Sequence, residues 1–355
     1  MSDAAPETPK RSWRESLTVY LKPQVPALLF LGFAAGLPFL LVFSTLSAWL
    51  RDVGVERATI GFFGWIGLTY SIKVVWAPVV DRVPLPGLTR LLGRRRSWML
   101  LAQLGIAGGL GGMALTDPTQ DITAFALFAL LIAFSSATQD IALDAYRIEV
   151  ADVELQGALA AAYQLGYRVA LLAAGAGALL LAEYHSWTVS YLVMAGLMGI
   201  GLATVLIVRE PRADPAGATL REREYLRLMG PLQEGAGPLA RAGRWLYGAV
   251  ACPFVDFFRR NGWYALLILA FIGLFRVSDI AMGIMANPFY IDLGFSKEQI
   301  AEIAKLYGFF MTIGGAILGG FVVARYGALR PLLAAAILGL NNMHVIYGRN
   351  VQTDS

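Results

Sequence analysis

The chain has 355 residues, of which 57% are hydrophobic and only 15% charged, and its mean hydropathy is +0.59. A soluble domain carries roughly 25% charged residues, so this composition excludes a single core buried in water and makes the chain a membrane protein. A formal charge of +4 and an isoelectric point near 9.2 would suit a nucleic-acid binder in a soluble fold; here they predict basic loops facing lipid headgroups, and no nucleic-acid partner.

In chain order, a tail over 1–25 with Lys10, Arg11, Arg14 and Lys22 leads into an uncharged run too long for a signal peptide, read as an uncleaved first span. Apolar runs able to cross about 30 Å of hydrocarbon follow one another, and the spans are drawn at 26–50, 58–80, 97–115, 122–146, 157–182, 187–208, 263–287 and 299–323, with a short ninth run after Leu329. The basic residues alternate between connections. Arg51 and Arg57 stand after span one, and Arg82, Arg90, Arg94, Arg95 and Arg96 after span two; the connections after spans three and five have none, while 209–262 holds nine arginines. The positive-inside bias therefore places the N-terminus, the Arg94 cluster and the middle segment in the cytoplasm. That middle segment, rich in Pro, Gly and Arg, reads as a linker with an amphipathic helix on the membrane surface.

The sequence also repeats itself. DVGVERATI at 52–60 and DLGFSKEQI at 292–300 occupy the same place after the first span of each half, offset by 240, and VVDR at 79–82 is matched by VVAR at 322–325. Six spans, a basic linker and a restart are the plan of a two-half, twelve-span transporter. The fold class expected is an all-α polytopic membrane protein: a six-helix half over 26–208, a cytoplasmic linker over 209–262, a partial second half over 263–340 and an aberrant tail over 341–355. By the repeat offset, roughly 95 residues of the second half are expected to be missing. A frameshifted or stopped gene, a fragment and a naturally shortened form stay open as explanations.

WAPVVDR at 76–82 followed by GRRR at 93–96 resembles the loop signature of the major facilitator superfamily. LGFAAGLP at 31–38, YSIKVVWAPVVDR at 70–82, ATQDIALDAYR at 137–147, NPFYIDLGFSKEQI at 287–300 and KLYGFFMTIGGAILGG at 305–320 resemble, within it, the AmpG family of muropeptide permeases. The resemblance implies a proton-coupled importer of anhydro-muropeptides in the bacterial inner membrane, with a small glycopeptide substrate, the proton gradient in place of a cofactor, and a monomer in the bilayer. An acetyl-CoA transporter branch shares parts of these motifs. A truncated, inactive or partner-dependent fragment is the alternative of a different class. An enzyme is not expected: the chain has no HExxH, no P-loop and no Ser/His pairing, and its lone Cys252 and distant His185 and His344 make no metal site.

Charge inside a span is costly and marks function or a structural pair. Arg168 lies about 18 Å into span five and Arg276 about 20 Å into span seven at 1.5 Å per residue; two guanidinium forks at mid-depth suit a substrate bearing carboxylates. Asp279, three residues after Arg276, shares its face and is a candidate proton carrier beside it. Lys73 either snorkels or joins the site, and Tyr70, Gln164 and Tyr167 either bind sugar hydroxyls or pack between helices. In span four, Ser136, Asp140, Asp144 and Arg147 recur at steps of four, four and three, one stripe at the cytoplasmic mouth expected to handle protons and gate. A solvated helix end explains Asp144, Arg147 and Glu149 equally well. The resemblance adds Gln139 as a substrate contact and Ala137 and Gly36 as gating positions, a close helix contact being the alternative for the glycine. It also implies gating roles for the set Asp81, Arg82 and Arg94 to Arg96, with Asp144 or Glu149 as the acidic partner.

Overall fold

The computed structural model describes residues 21–151, 155–211, 252–308 and 310; of these, 252–256, 271–283 and 304–306 are described by backbone alone. The predicted tails, most of the linker and most of the eighth and ninth spans lie outside the described residues. Among those described there is no strand, and six helices are long and apolar enough to cross a membrane: α1 (Gln24–Asp52), α2 (Arg57–Val75), α3 (Arg94–Ala114), α4 (Ile122–Glu149), α5 (Gln156–Tyr184) and α6 (Trp187–Ile207). After the linker come α7 (Cys252–Asn261) and α8 (Tyr264–Asp292), the latter matching the predicted seventh span. The drawn boundaries differ by a few residues because charged residues continue a helix past the hydrocarbon. Thus α3 begins at Arg94 and α4 runs on to Glu149.

What holds the bundle is small residues that let backbones touch, since apolar side chains gain little from leaving lipid. The Cα of Gly166 on α5 faces the backbone of Leu29 and Phe33 on α1, and Gly32 and Gly36 on α1 face the backbone of Tyr163 and Tyr167 on α5. A Cβ built at Gly36 would stand 2.6 Å from the Tyr167 carbonyl oxygen, so no side chain fits there without parting α1 from α5. On α3, Gly105, Gly109 and Gly112 take Ser135, Ile132 and Phe128 of α4 in antiparallel register.

Beside the irregular α2, α1 and α5 each break their helical geometry, and side chains bond the carbonyls there. α1 leaves helical geometry at Phe43 (φ −121°, ψ −99°), and α5 carries a π-type turn over Ala173–Gly177. Backbone groups freed inside a membrane must be bonded within the protein. The Thr45 hydroxyl donates to the Ala174 carbonyl at 2.7 Å, and the Tyr191 hydroxyl donates to the Leu41 carbonyl at 2.9 Å. The Ser44 carbonyl accepts from the Ser47 hydroxyl at 2.9 Å and from the Asn287 amide of α8 at 2.5 Å.

α2 is the least regular span. It passes through 3-10 turns at Gly64–Gly67 and Lys73–Val75 and continues as a short helix, Ala77–Arg82. Its Gly61 and Gly64 receive Met285 and Ile284 of α8, while Phe62, Trp65, Leu68 and Ile72 are exposed. All of this belongs to one unit, Met1–Ala301; the second unit, Glu302–Ser355, falls almost wholly outside the described residues.

Candidate functional site

Three helices bring polar side chains into the bundle. From α2 come Tyr70 and Lys73, from α4 Ser136, Asp140, Asp144 and Arg147, and from α5 Tyr163 and Tyr167, with Arg168 next in sequence. At their centre Lys73 Nζ lies 3.4 Å from Asp140 Oδ2, an ion pair between α2 and α4 with side chains 35% and 22% exposed. The Tyr70 hydroxyl is buried and faces Ser136 and Asp140 without completing a well-formed hydrogen bond to either. Tyr70 is held in place by an edge contact to Phe39 and a tilted one to Phe43, both of α1, with ring centroids 6.3 and 5.9 Å away. Tyr163 and Tyr167, one turn apart with rings 6.2 Å from each other, both lie within electrostatic range of Asp140. The Arg147 guanidinium sits 5.6 Å from the centroid of the Tyr163 ring, a cation–π arrangement, and 3.6 Å from Asp144.

The predicted span-four stripe is therefore one surface that grades from dry to wet: Ser136 is buried, the Asp140 side chain is 22% exposed, and that of Asp144 is 57% exposed. Arg168 stands next to Tyr167, half-buried, with no ion pair among the described residues. A fixed cation without a carboxylate partner is what an anionic ligand would use.

Other predicted residues are placed differently. Gln164 is exposed. Ala137 and Gln139 are fully buried in the packing of α4, and both polar atoms of Gln139 lack a hydrogen-bond partner, as do those of the equally buried Gln103 on α3. Gly36 is a contact point of α1 with α5. On α8, Arg276 and Asp279 are one turn apart along the backbone, and their side chains lie outside the described residues. Tyr163 was not foreseen, although its i, i+4 relation to Tyr167 marks it as sharing that face.

At the end of the bundle where α2 gives way to α3, the charges converge on Arg95, the middle residue of the expected Arg94 to Arg96 set. Arg95 is 4% exposed; its guanidinium donates to Asp81 at 2.7 Å and, as a fork, to both Glu149 oxygens at 3.1 and 2.7 Å. Helical phase is the reason: of three successive arginines only one faces α4, while the Nε of Arg94 has no hydrogen-bond partner and Arg96 turns to donate to the Val205 and Leu206 carbonyls at the end of α6. Glu210 closes the same corner by accepting from the backbone N–H groups of Arg95 and Arg96 at 2.8 and 3.1 Å, a carboxylate on the positive end of α3. Glu149, not Asp144, is thus the partner on α4.

Among the described residues, six helices long and apolar enough to cross a membrane, with ion pairs between them, define a multi-pass membrane protein. Comparison with known proteins agrees. The profile of the Major Facilitator Superfamily matches residues 10–340. The chain is similar to the AmpG 4 protein of Rickettsia conorii, 37% identical over 86% of this chain and 69% of the relative, and to the anhydromuropeptide permease of Escherichia coli K12, 34% identical over 91% of this chain and 60% of the relative. It is also 33% identical to an uncharacterized Haemophilus influenzae protein, over 90% of this chain and 68% of the relative. The chain belongs to the major facilitator superfamily and, within it, to the AmpG family. It is a transporter of a small-molecule substrate, not an enzyme.

Proposed function

We propose that the chain imports anhydro-muropeptides, driven by protons, across the bacterial inner membrane with its N-terminus in the cytoplasm. The observation that carries this reading is the Lys73–Asp140 ion pair within the bundle, ringed by Tyr70, Tyr163 and Tyr167 with Arg168 beside them, in a chain 34% identical to a permease named for anhydromuropeptide. A muropeptide offers carboxylates, amides and sugar hydroxyls. Arg168 and Lys73 supply cations for the first, and the tyrosine hydroxyls supply donors for the last.

Coupling follows from the pair itself. When a substrate carboxylate draws Lys73 away, Asp140 is left with a charge that the apolar surroundings cannot support, and a proton neutralises it. Return of that proton to the cytoplasm restores the ion pair and releases the substrate. Asp144 and Arg147, at the wetter end of the stripe, form the exit for that proton. In this scheme the proton gradient does the work of a cofactor. Arg276 and Asp279 belong to the same reading as its counterpart on the second half, the Asp81, Arg82, Arg94 and Arg95 corner as its inner gate.

The test is uptake of labelled anhydro-muropeptide into cells that lack their own permease. Uptake that collapses with a protonophore is expected. No uptake with the protein present in the membrane rejects muropeptide transport, and uptake indifferent to the protonophore rejects the coupling.

A further inference from the structure

The internal repeat detected in the sequence closes on itself in space. Both corners, after α1 and after α8, end their helices with the same set of bonds at an offset of 240: Val53 to Trp49, Gly54 to Arg51 and Val55 to Leu50 in one, Leu293 to Phe289, Gly294 to Ile291 and Phe295 to Tyr290 in the other. Gly54 and Gly294 both adopt the left-handed conformation, at φ 86° and 85°, as the glycine of a Schellman cap does. Each corner carries an acid on the helix it ends and a cation on the helix it begins: Asp52 and Arg57 in the first, Asp292 and Lys297 in the second.

Within neither corner does the acid form an ion pair with its own cation. They exchange. Arg57 Nη2 lies 2.6 Å from Asp292 Oδ2, and Lys297 Nζ lies 3.0 Å from Asp52 Oδ2. Around this crossed pair, Arg51 donates to the other Asp292 oxygen at 2.5 Å, Trp187 donates to Asp52 at 2.7 Å, and Tyr184 donates to Glu298 at 2.6 Å. Beneath it Asn287 bonds Ser44 and Ile284 meets Gly64, so the contact is dry one layer in. By contrast, the described bonds of the Arg95 cluster at the opposite end reach no further along the chain than Glu210, at the start of the linker.

We infer that the repeat-equivalent corners 52–57 and 292–297 form a reciprocal two-part latch, each half holding the other's acid, and that this latch keeps the α1/α2 end of the transporter shut. The self-complementary logic is that of an isologous interface, in which one patch serves both sides. Either pair alone is a weak lock, since exposed ion pairs contribute little. Two pairs that open only together make the end bistable.

The experiment is independent of the solute carried. In protein carrying Cys252→Ser, a reporter Ser47→Cys, at a buried position just inside the latch, is reacted with a membrane-impermeant maleimide in lipid nanodiscs. Asp52→Asn and Lys297→Gln should each speed labelling about threefold, and the double variant should fall well short of the product of the singles, because both remove the same Lys297–Asp52 pair and only the longer 3.6 Å contact of Lys297 with Glu183 is lost in addition. Asp52→Asn combined with Asp292→Asn removes both pairs and should label at about the product of the single effects. Singles that label at the parent rate overturn the latch, as does a Asp52→Asn/Lys297→Gln double whose effects multiply. If a single variant does not fold, the charge-neutral double carries the test: it must label faster than the parent.

Discussion

Replacing Gly166 with Ala is the sharpest probe of how the site is positioned, because α5 carries Tyr163, Tyr167 and Arg168 and meets α1 through this glycine. A Cβ at Gly166 would stand 2.8 Å from the Leu29 carbonyl carbon and 2.9 Å from the Phe33 nitrogen, and nearer still to the Leu29 oxygen. Carbon atoms pack at about 3.5–4.0 Å, so the two backbones must part by about 1 Å, and a gap of that size forfeits a quarter to a half of each contact's attraction. Overpacking of this kind costs about 1–3 kcal/mol, a loss of several degrees in thermal midpoint for a chain of this size. A shift of about 1 Å also misplaces groups that must act together, enough to lower activity up to about 100-fold. The control is Gly157→Ala on the same helix, where nothing lies within 4 Å of the added carbon and the helix should gain up to about 1 kcal/mol. Thermal melts of the detergent-solubilised proteins, paired with uptake, read the difference. If Gly166→Ala is as stable as Gly157→Ala, the close approach of α1 and α5 is wrong and the placement of the tyrosines falls with it.

Lys73→Gln and Asp140→Asn should each abolish concentrative uptake while leaving the protein folded and in the membrane; an Asp140→Asn protein that still accumulates substrate against a gradient refutes the coupling role. Arg95→Met leaves two carboxylates facing each other without a cation. Wholly buried pairs lose about 3–5 kcal/mol on such a change, but the Asp81 and Glu149 side chains are 45% and 23% exposed, so about 2 kcal/mol is expected after solvent screening. Arg95→Lys keeps the charge but not the fork, and its melting temperature should fall between the two. At the latch, burial pushes the Asp292 carboxyl up, and the hydrogen bonds and charges of Arg51 and Arg57 outweigh it, leaving it below its ordinary value. A depressed folded pKa means the stabilisation is present above the unfolded value and lost as pH falls through the folded one. Because maleimide attacks the thiolate, the readout is the ratio of Ser47→Cys labelling rates in the Asp292→Asn variant and the parent at the same pH, which cancels the thiol's own titration. That ratio should stay above one and flat from pH 8 to 5, and a decline toward one between pH 7 and 5 contradicts this.

Much of the architecture is legible along the chain because hydropathy and charge act locally. A run without charges must lie in hydrocarbon whatever surrounds it, so spans one, three, four, five and six fall where the composition puts them, and the repeat at 52–60 and 292–300 can be found by comparison alone. Helical spacing likewise puts Ser136, Asp140, Asp144 and Arg147 on one face. Partners are another matter, because they depend on how each helix is rotated about its axis. Only the packing of α3 against α4 selects Arg95 from three adjacent arginines and Glu149 from two nearby acids. Only the closeness of α5 to α1 makes Gly36 and Gly166 contacts, with Tyr163 half-buried while Gln164 stays exposed. And while the sequence by itself determines that two corners are alike, only the tertiary structure decides that each grips the other, since bonds between residues 235 and 245 apart have no local cause.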